Sequence, residues 1–280
     1  MKRSMTWILL GILLTAGIAL ISYPYVLYTL SASEQAAVIY HYDTTAETLP
    51  DEEKAAMLLA ARQYNARLAD LTGNAPFDPT AVLPQDYEAV LNLGNGIMGS
   101  LEIPAIHVNL PIYHGTDSET LAKGAGHLRE SSLPVGGEGT HAVLSSHTGF
   151  SKARLFTDLD KLGEGDRFYI HVLDQTLVYE VDQIKVVDPE DTSALKPVSG
   201  KDYVTLLTCT PYGINSHRLL VRGVRVMPDA TGNEAYPQTT QQNNPLPLAL
   251  SAAGLMVLSL GIWQIRKRSI CHTKRGEKNG

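Results

Sequence analysis

Tyr203-Val-Thr-Leu-Leu-Thr-Cys-Thr-Pro-Tyr-Gly-Ile-Asn-Ser-His-Arg-Leu-Leu-Val-Arg-Gly-Val-Arg-Val226 is the stretch that organises the rest of the chain. Tyr203–Thr208 is apolar and β-branched, as a buried strand is. Thr210-Pro-Tyr-Gly-Ile-Asn215 then turns the chain, and the residues from Arg218 run back as a second strand. A hairpin of this form brings Cys209 and Arg218 to neighbouring strand ends on one rim of a sheet. A guanidinium beside a thiol favours the thiolate and can donate hydrogen bonds to an oxyanion. What the hairpin lacks is a base.

Outward from the hairpin, further short β-type runs lie between Gly, Pro, Asn and Asp punctuation. They are Ser100–Ile103, Val108–Ile112, His141–Ser145, Arg167–Val172, Leu177–Val187 and Leu219–Met227. With Tyr203–Thr208 they make about seven strands and few helices, which predicts a mainly β fold, a closed or nearly closed barrel. Ahead of it, Met57, Ala61, Tyr64, Leu68 and Leu71 recur at helical spacing, and Gly73 stands just past their end. A second, shorter helix is expected over Gln85–Leu93. Between them, Asn74-Ala-Pro-Phe-Asp-Pro79 cannot continue a helix. Residues 229–244 are polar and low in complexity, and read as a tether.

The ends differ from the middle. After Lys2 and Arg3 no charge occurs before Glu34, and a second uncharged run, 245–265, leads directly into Arg266-Lys-Arg268. About 20 apolar residues cross a bilayer. The first run is longer than a signal peptide needs, and no small-x-small site closes it, so an uncleaved anchor is expected. The basic flanks predict two passes with both termini in the cytoplasm and the remainder outside the cell. Set aside residues 1–30 and 245–280, and 15 basic residues face 28 acidic ones, a net of −13 within a chain of −6. Nucleic acid is excluded as a partner on that balance; cationic, lysine-bearing partners are not. The same topology separates the two cysteines, Cys271 inside and Cys209 outside, leaving Cys209 a lone thiol where thiols usually pair.

Two histidines compete for the role of base. His217 adjoins Arg218 but points to the opposite face of a strand. His147 follows the run Ala142–Ser146 on a loop at a strand end, where catalytic groups are often displayed, and is favoured. His107, His114, His127 and His141 lack tight ligand spacing, and no metal or other cofactor is expected.

Thr205-Leu-Leu-Thr-Cys209, Thr210–Arg218 and Ser145-Ser-His-Thr-Gly149 together resemble the sortases, membrane-anchored cysteine transpeptidases of Gram-positive bacteria. The likeness runs from about residue 52 to 227, through Tyr64-Asn65…Leu68, Met98–Pro104, Leu110–Thr116, Gly124–Leu128 and Ser131–Gly137. The second apolar run and the helical front are similar to class C, the pilin polymerases. The resemblance implies catalytic His147, Cys209 and Arg218, with Ser131, Ser132 and Thr208 in the substrate and oxyanion neighbourhood. It also implies an autoinhibitory lid at about 74–82. Here Phe77-Asp78-Pro79 matches the lid's Asp-Pro pair, but the aromatic precedes it instead of following.

The implied organisation is an N-terminal anchor (1–30), a helical front with the lid (31–97) and a sortase-like barrel of seven to eight strands (98–228). A linker (229–244), a second transmembrane helix (245–265) and a basic cytoplasmic tail (266–280) complete it. The implied donor is an LPxTG-like sorting signal and the implied acceptor a pilin lysine. Attachment to peptidoglycan and a non-enzymatic surface-binding barrel are the alternatives.

Overall fold

The computed structural model describes residues 2–72, 77 and 83–227. Residues up to Leu30 belong to one unit and the described residues from Ser31 onward to another. Helix α1 (Lys2–Thr48) runs through Pro24 without a break, and it carries the one segment among the described residues long and apolar enough to cross a membrane. The expected second span, 245–265, and the linker before it lie outside the described residues.

Within the second unit, the last turns of α1 are held by polar contacts. The buried Tyr42 hydroxyl donates to the Met98 carbonyl (3.0 Å) and accepts from the Leu173 N–H (2.9 Å). Helix α2 (Asp51–Thr72) follows Pro50, with Asp51, Glu52 and Glu53 in its first turn where the helix dipole favours negative charge. It buries Leu58, Ala61, Tyr64 and Leu68; of the five positions the sequence spacing picks out, Ala61, Tyr64 and Leu68 are buried, whereas Met57 is half-buried and Leu71, in the last turn, is exposed. Residues 85–91 form hydrogen-bonded turns rather than the short helix expected there. Leu91 sits at φ 62°, which no helix tolerates, and Tyr87 is wholly buried.

The body is a closed eight-stranded barrel of β1 (Ile97–Ile103), β2 (Val108–His114), β3 (Ala125–His127), β4 (Thr140–Ser145), β5 (Arg167–Val172), β6 (Gln175–Val187), β7 (Asp202–Thr210) and β8 (His217–Val226). Their order around it is β1-β2-β3-β4-β7-β8-β6-β5. The β2–β3 and β4–β7 pairs are parallel, and the other pairs are antiparallel. Between β2 and β3, helix α3 (Ser118–Lys123) is capped by the Asp117 carboxylate, which accepts from the Glu119 and Thr120 N–H groups. Gly223 is required by packing: a Cβ there would lie 2.6 Å from the Phe168 ring. The main core takes alternate residues of the strands, among them Leu101, Ile112, Leu144, Ile170, Val204 and Val221, and extends to α2 and Tyr87.

Candidate active site

Cys209 and Arg218 are direct register partners of the antiparallel β7–β8 pair, so their side chains share a face. Which face follows from alternation. Val204 and Leu206 of β7, Leu219 and Val221 of β8, and Ala142 and Leu144 of β4 point into the main core. Val143, Leu207 and Leu220 point the other way, and with Leu195 they form a separate apolar strip. Cys209 continues the Leu207 row and Arg218 the Leu220 row, both onto that second face.

His147 reaches the same level through the parallel β4–β7 pair. Ser145 pairs with Leu207, and the chain then stays attached beyond the end of β4. The Ser146 N–H donates to the Leu207 carbonyl (3.1 Å), and the buried Thr208 hydroxyl donates to the Ser146 carbonyl (2.8 Å). Counting on by two sets His147 level with Cys209. The imidazole stacks on Phe150 at 5.5 Å between ring centres. The loop behind it closes through the Phe156 N–H to the His147 carbonyl (3.0 Å) and the Gly149 N–H to the Thr157 hydroxyl (3.1 Å).

Other candidates are otherwise engaged. His217 pairs in register with Thr210, contacts Ser216 Oγ (2.8 Å) and lies 3.6 Å from the Asp188 carboxylate. Arg222 is held by Asp182 in a two-point contact (2.9 and 2.8 Å) and covers the Tyr203 ring. Arg218 donates only to carbonyls of its own turn, Asn215 (3.3 Å) and His217 (3.1 Å), among the described residues.

Ser131 and Ser132 are buried, and their hydroxyls bind backbone: Ser131 accepts from the Val143 N–H (3.0 Å) and Ser132 from the His141 N–H (3.2 Å). They thereby tie the 131–132 segment to the backbone of β4. Asp78 and Pro79 lie outside the described residues, but Phe77 is within them and packs on the Val143–Leu195–Leu220 strip. Sequence reasoning passed over Tyr212, Thr157 and Asp160, which line a small cavity with Cys209 and Thr208. Tyr212 stood in plain view in the hairpin turn, whereas loop closure alone brings in the other two. Among the described residues no cluster of three metal-ligating side chains occurs.

A Sortase domain family model matches residues 101–226. Sortase C of Streptococcus pneumoniae, whose crystal structure provides insights into catalysis and pilin substrate specificity, is 45% identical with a TM-score of 0.62. That match covers 69% of this chain and 97% of the other. The chain belongs to the sortase family. A sortase C structure from Clostridium perfringens, solved with the C-terminal cell wall sorting motif, is 47% identical (TM-score 0.60; 69% and 100% covered). Sortase D of Bacillus subtilis is 35% identical over 131 residues, 46% of this chain and 63% of that relative, less than two-thirds of its length. Both of these solved structures are of sortase C enzymes, and the closed barrel of this sortase is the sortase fold.

Proposed function

We propose that this sortase is a pilin-polymerising transpeptidase. One observation carries the reading: Cys209 and Arg218 share the face that holds the Phe77-covered apolar strip, with His147 level beside them. On this reading a nucleophile, an acid–base group and an oxyanion donor stand at the end of that apolar strip, as acyl transfer from an extended, largely apolar peptide requires.

The Cys209 thiolate attacks the threonine carbonyl of an LPxTG-like sorting signal, and Arg218 donates to the oxyanion that forms. His147, protonated, gives its proton to the departing glycine nitrogen as the C–N bond breaks, leaving a thioester on Cys209. A pilin lysine amine then forms a new C–N bond at that carbonyl, the C–S bond breaks, and neutral His147 takes the amine's proton. Phe77 holds the place of an apolar signal residue until the lid opens, and Asp78 pairs with Arg218 in the closed state. The basic flanks at Lys2 and Arg3 and at 266–278 support a two-pass topology with the barrel outside the cell.

The test is mass spectrometry of the chain after incubation with an LPxTG peptide. The expected result is a mass gain equal to the peptide through its threonine, lost in Cys209→Ala. Transfer to a lysine-bearing pilin fragment should follow. An Asp78→Ala chain, its lid opened, that gains no such mass would overturn the reading.

A further inference from the structure

The cavity beside Cys209 contains one charged side chain among its described lining residues, the Asp160 carboxylate. Its setting is built by the His147 loop, whose two closing hydrogen bonds return the chain to Thr157. A short 3-10 turn, Leu159–Lys161, then presents Asp160 to the cavity. The neighbouring cations do not neutralise it. Arg154 and Lys161 both pair with Asp158 instead, and Asp160 makes no ion pair among the described residues. Tyr212 of the β7–β8 turn, itself largely exposed, also lines the cavity.

We propose that Asp160 is the docking group for the incoming amine, binding a primary ammonium between the His147 loop and Tyr212. This rests on the transpeptidase reading above and names the chemistry of its acceptor: a cation, as lysine is at neutral pH. The docked ammonium releases one proton to solvent, and the free amine nitrogen bonds to the thioester carbonyl carbon. The C–S bond breaks, and the second amine proton passes to neutral His147, which restores the thiolate–imidazolium pair. Asp160 thereby favours amine over water at the thioester, the preference that polymer formation needs.

The experiment uses the full chain in detergent, with Asp78→Ala to open the lid. An LPxTG peptide is supplied together with two competing nucleophiles, Nα-acetyl-lysine amide and hydroxylamine. The first is cationic at neutral pH and the second is not. The readout is the ratio of lysine adduct to hydroxamate within one acyl-enzyme pool, so a change in acylation rate cancels. Asp160→Asn is expected to lower the ratio about threefold, the size of a partly exposed ion pair, and Asp160→Glu to keep it near the parent value. Added salt should lower the ratio in the parent and leave it flat in Asp160→Asn. An unchanged ratio in Asp160→Asn, or equal salt dependence in both chains, would overturn the acceptor assignment while hydroxamate formation upholds the thioester. Absence of both products from the parent would overturn the transpeptidase reading and this inference with it.

Discussion

Arg218 stands opposite Cys209 across the β7–β8 pair, yet its guanidinium is turned back onto the carbonyls of Asn215 and His217. Those two contacts hold the cation at the rim and leave donors of its five N–H groups for an oxyanion at Cys209. Arg218→Ala should therefore slow acyl-enzyme formation by about 10²–10³-fold, the usual cost of one oxyanion donor. Arg218→Lys should recover little of it, because a point charge does not reproduce the planar fork. Stopped-time mass spectrometry of the acylated chain measures both. Acylation by Arg218→Ala at the wild-type rate would remove Arg218 from the chemistry.

The placement of Phe77 gives a second expectation. Its ring packs on the strip formed by Val143, Leu195 and Leu220, the face onto which Cys209 and Arg218 also point. Phe77→Ala removes apolar contact of about 1.4 kcal/mol, which corresponds to roughly tenfold more open lid. Alkylation of Cys209 by a small thiol reagent should quicken by a comparable factor. An unchanged alkylation rate would mean that the ring does not shield the thiol.

Much of this was legible in the chain because the relevant signals are local. The β7–β8 hairpin, the 22-residue α2 and the barrel class all follow from period, turn residues and breakers. Strand β3 was missed: three residues with a central glycine are too few to show alternation. The helix expected at 85–93 failed because tertiary bonds outbid local propensity. The Tyr87 hydroxyl, for example, donates to the His127 carbonyl (3.0 Å) and accepts from the Gly115 N–H (3.0 Å). His147 could be favoured from sequence, but its level beside Cys209 depends on the parallel β4–β7 register, which no local pattern encodes.

Helix α2 is stitched to the barrel by one amide. Asn65 accepts from the Leu133 N–H (2.7 Å) and donates to the Leu133 carbonyl (3.1 Å), and both residues are buried. Asn65→Ala leaves two backbone groups without partners and should cost about 2–4 kcal/mol. Urea unfolding would show this as a lower midpoint at constant slope. A loss under about 0.5 kcal/mol would indicate that water takes over both bonds.

Two buried histidines set an acid limit on the fold. Burial pushes both His127 and His141 down to about 4, against backbone hydrogen bonds from Ser132 and Lys196 that act the other way. The unfolded chain protonates them near 6.5, so it binds more protons than the folded chain between pH 6.5 and 4. Their contribution is therefore complete above pH 6.5, falls as the pH drops toward 4, and changes no further below that. The upper bound is about 3 kcal/mol for each. Urea midpoints measured from pH 7.5 to 4.5 should decline through this window, and His141→Gln should flatten the decline. A midpoint constant from pH 6.5 to 4.5 would contradict the assignment.

The His147 loop and the Cys209 hairpin approach closely where Gly149 faces Tyr212. Gly149 has φ 68°, and a Cβ added there would lie 2.9 Å from Tyr212 Cε2. Gly149→Ala thus carries two penalties, a left-handed backbone strained by a side chain and a collision with the aromatic ring. Only the second depends on Tyr212. The double variant Gly149→Ala, Tyr212→Ala should accordingly lose less acylation activity than the product of the two single losses, a coupling of about 1 kcal/mol in a double-mutant cycle. Strict additivity would mean that the two loops are positioned independently, and that Gly149 is present for its backbone alone.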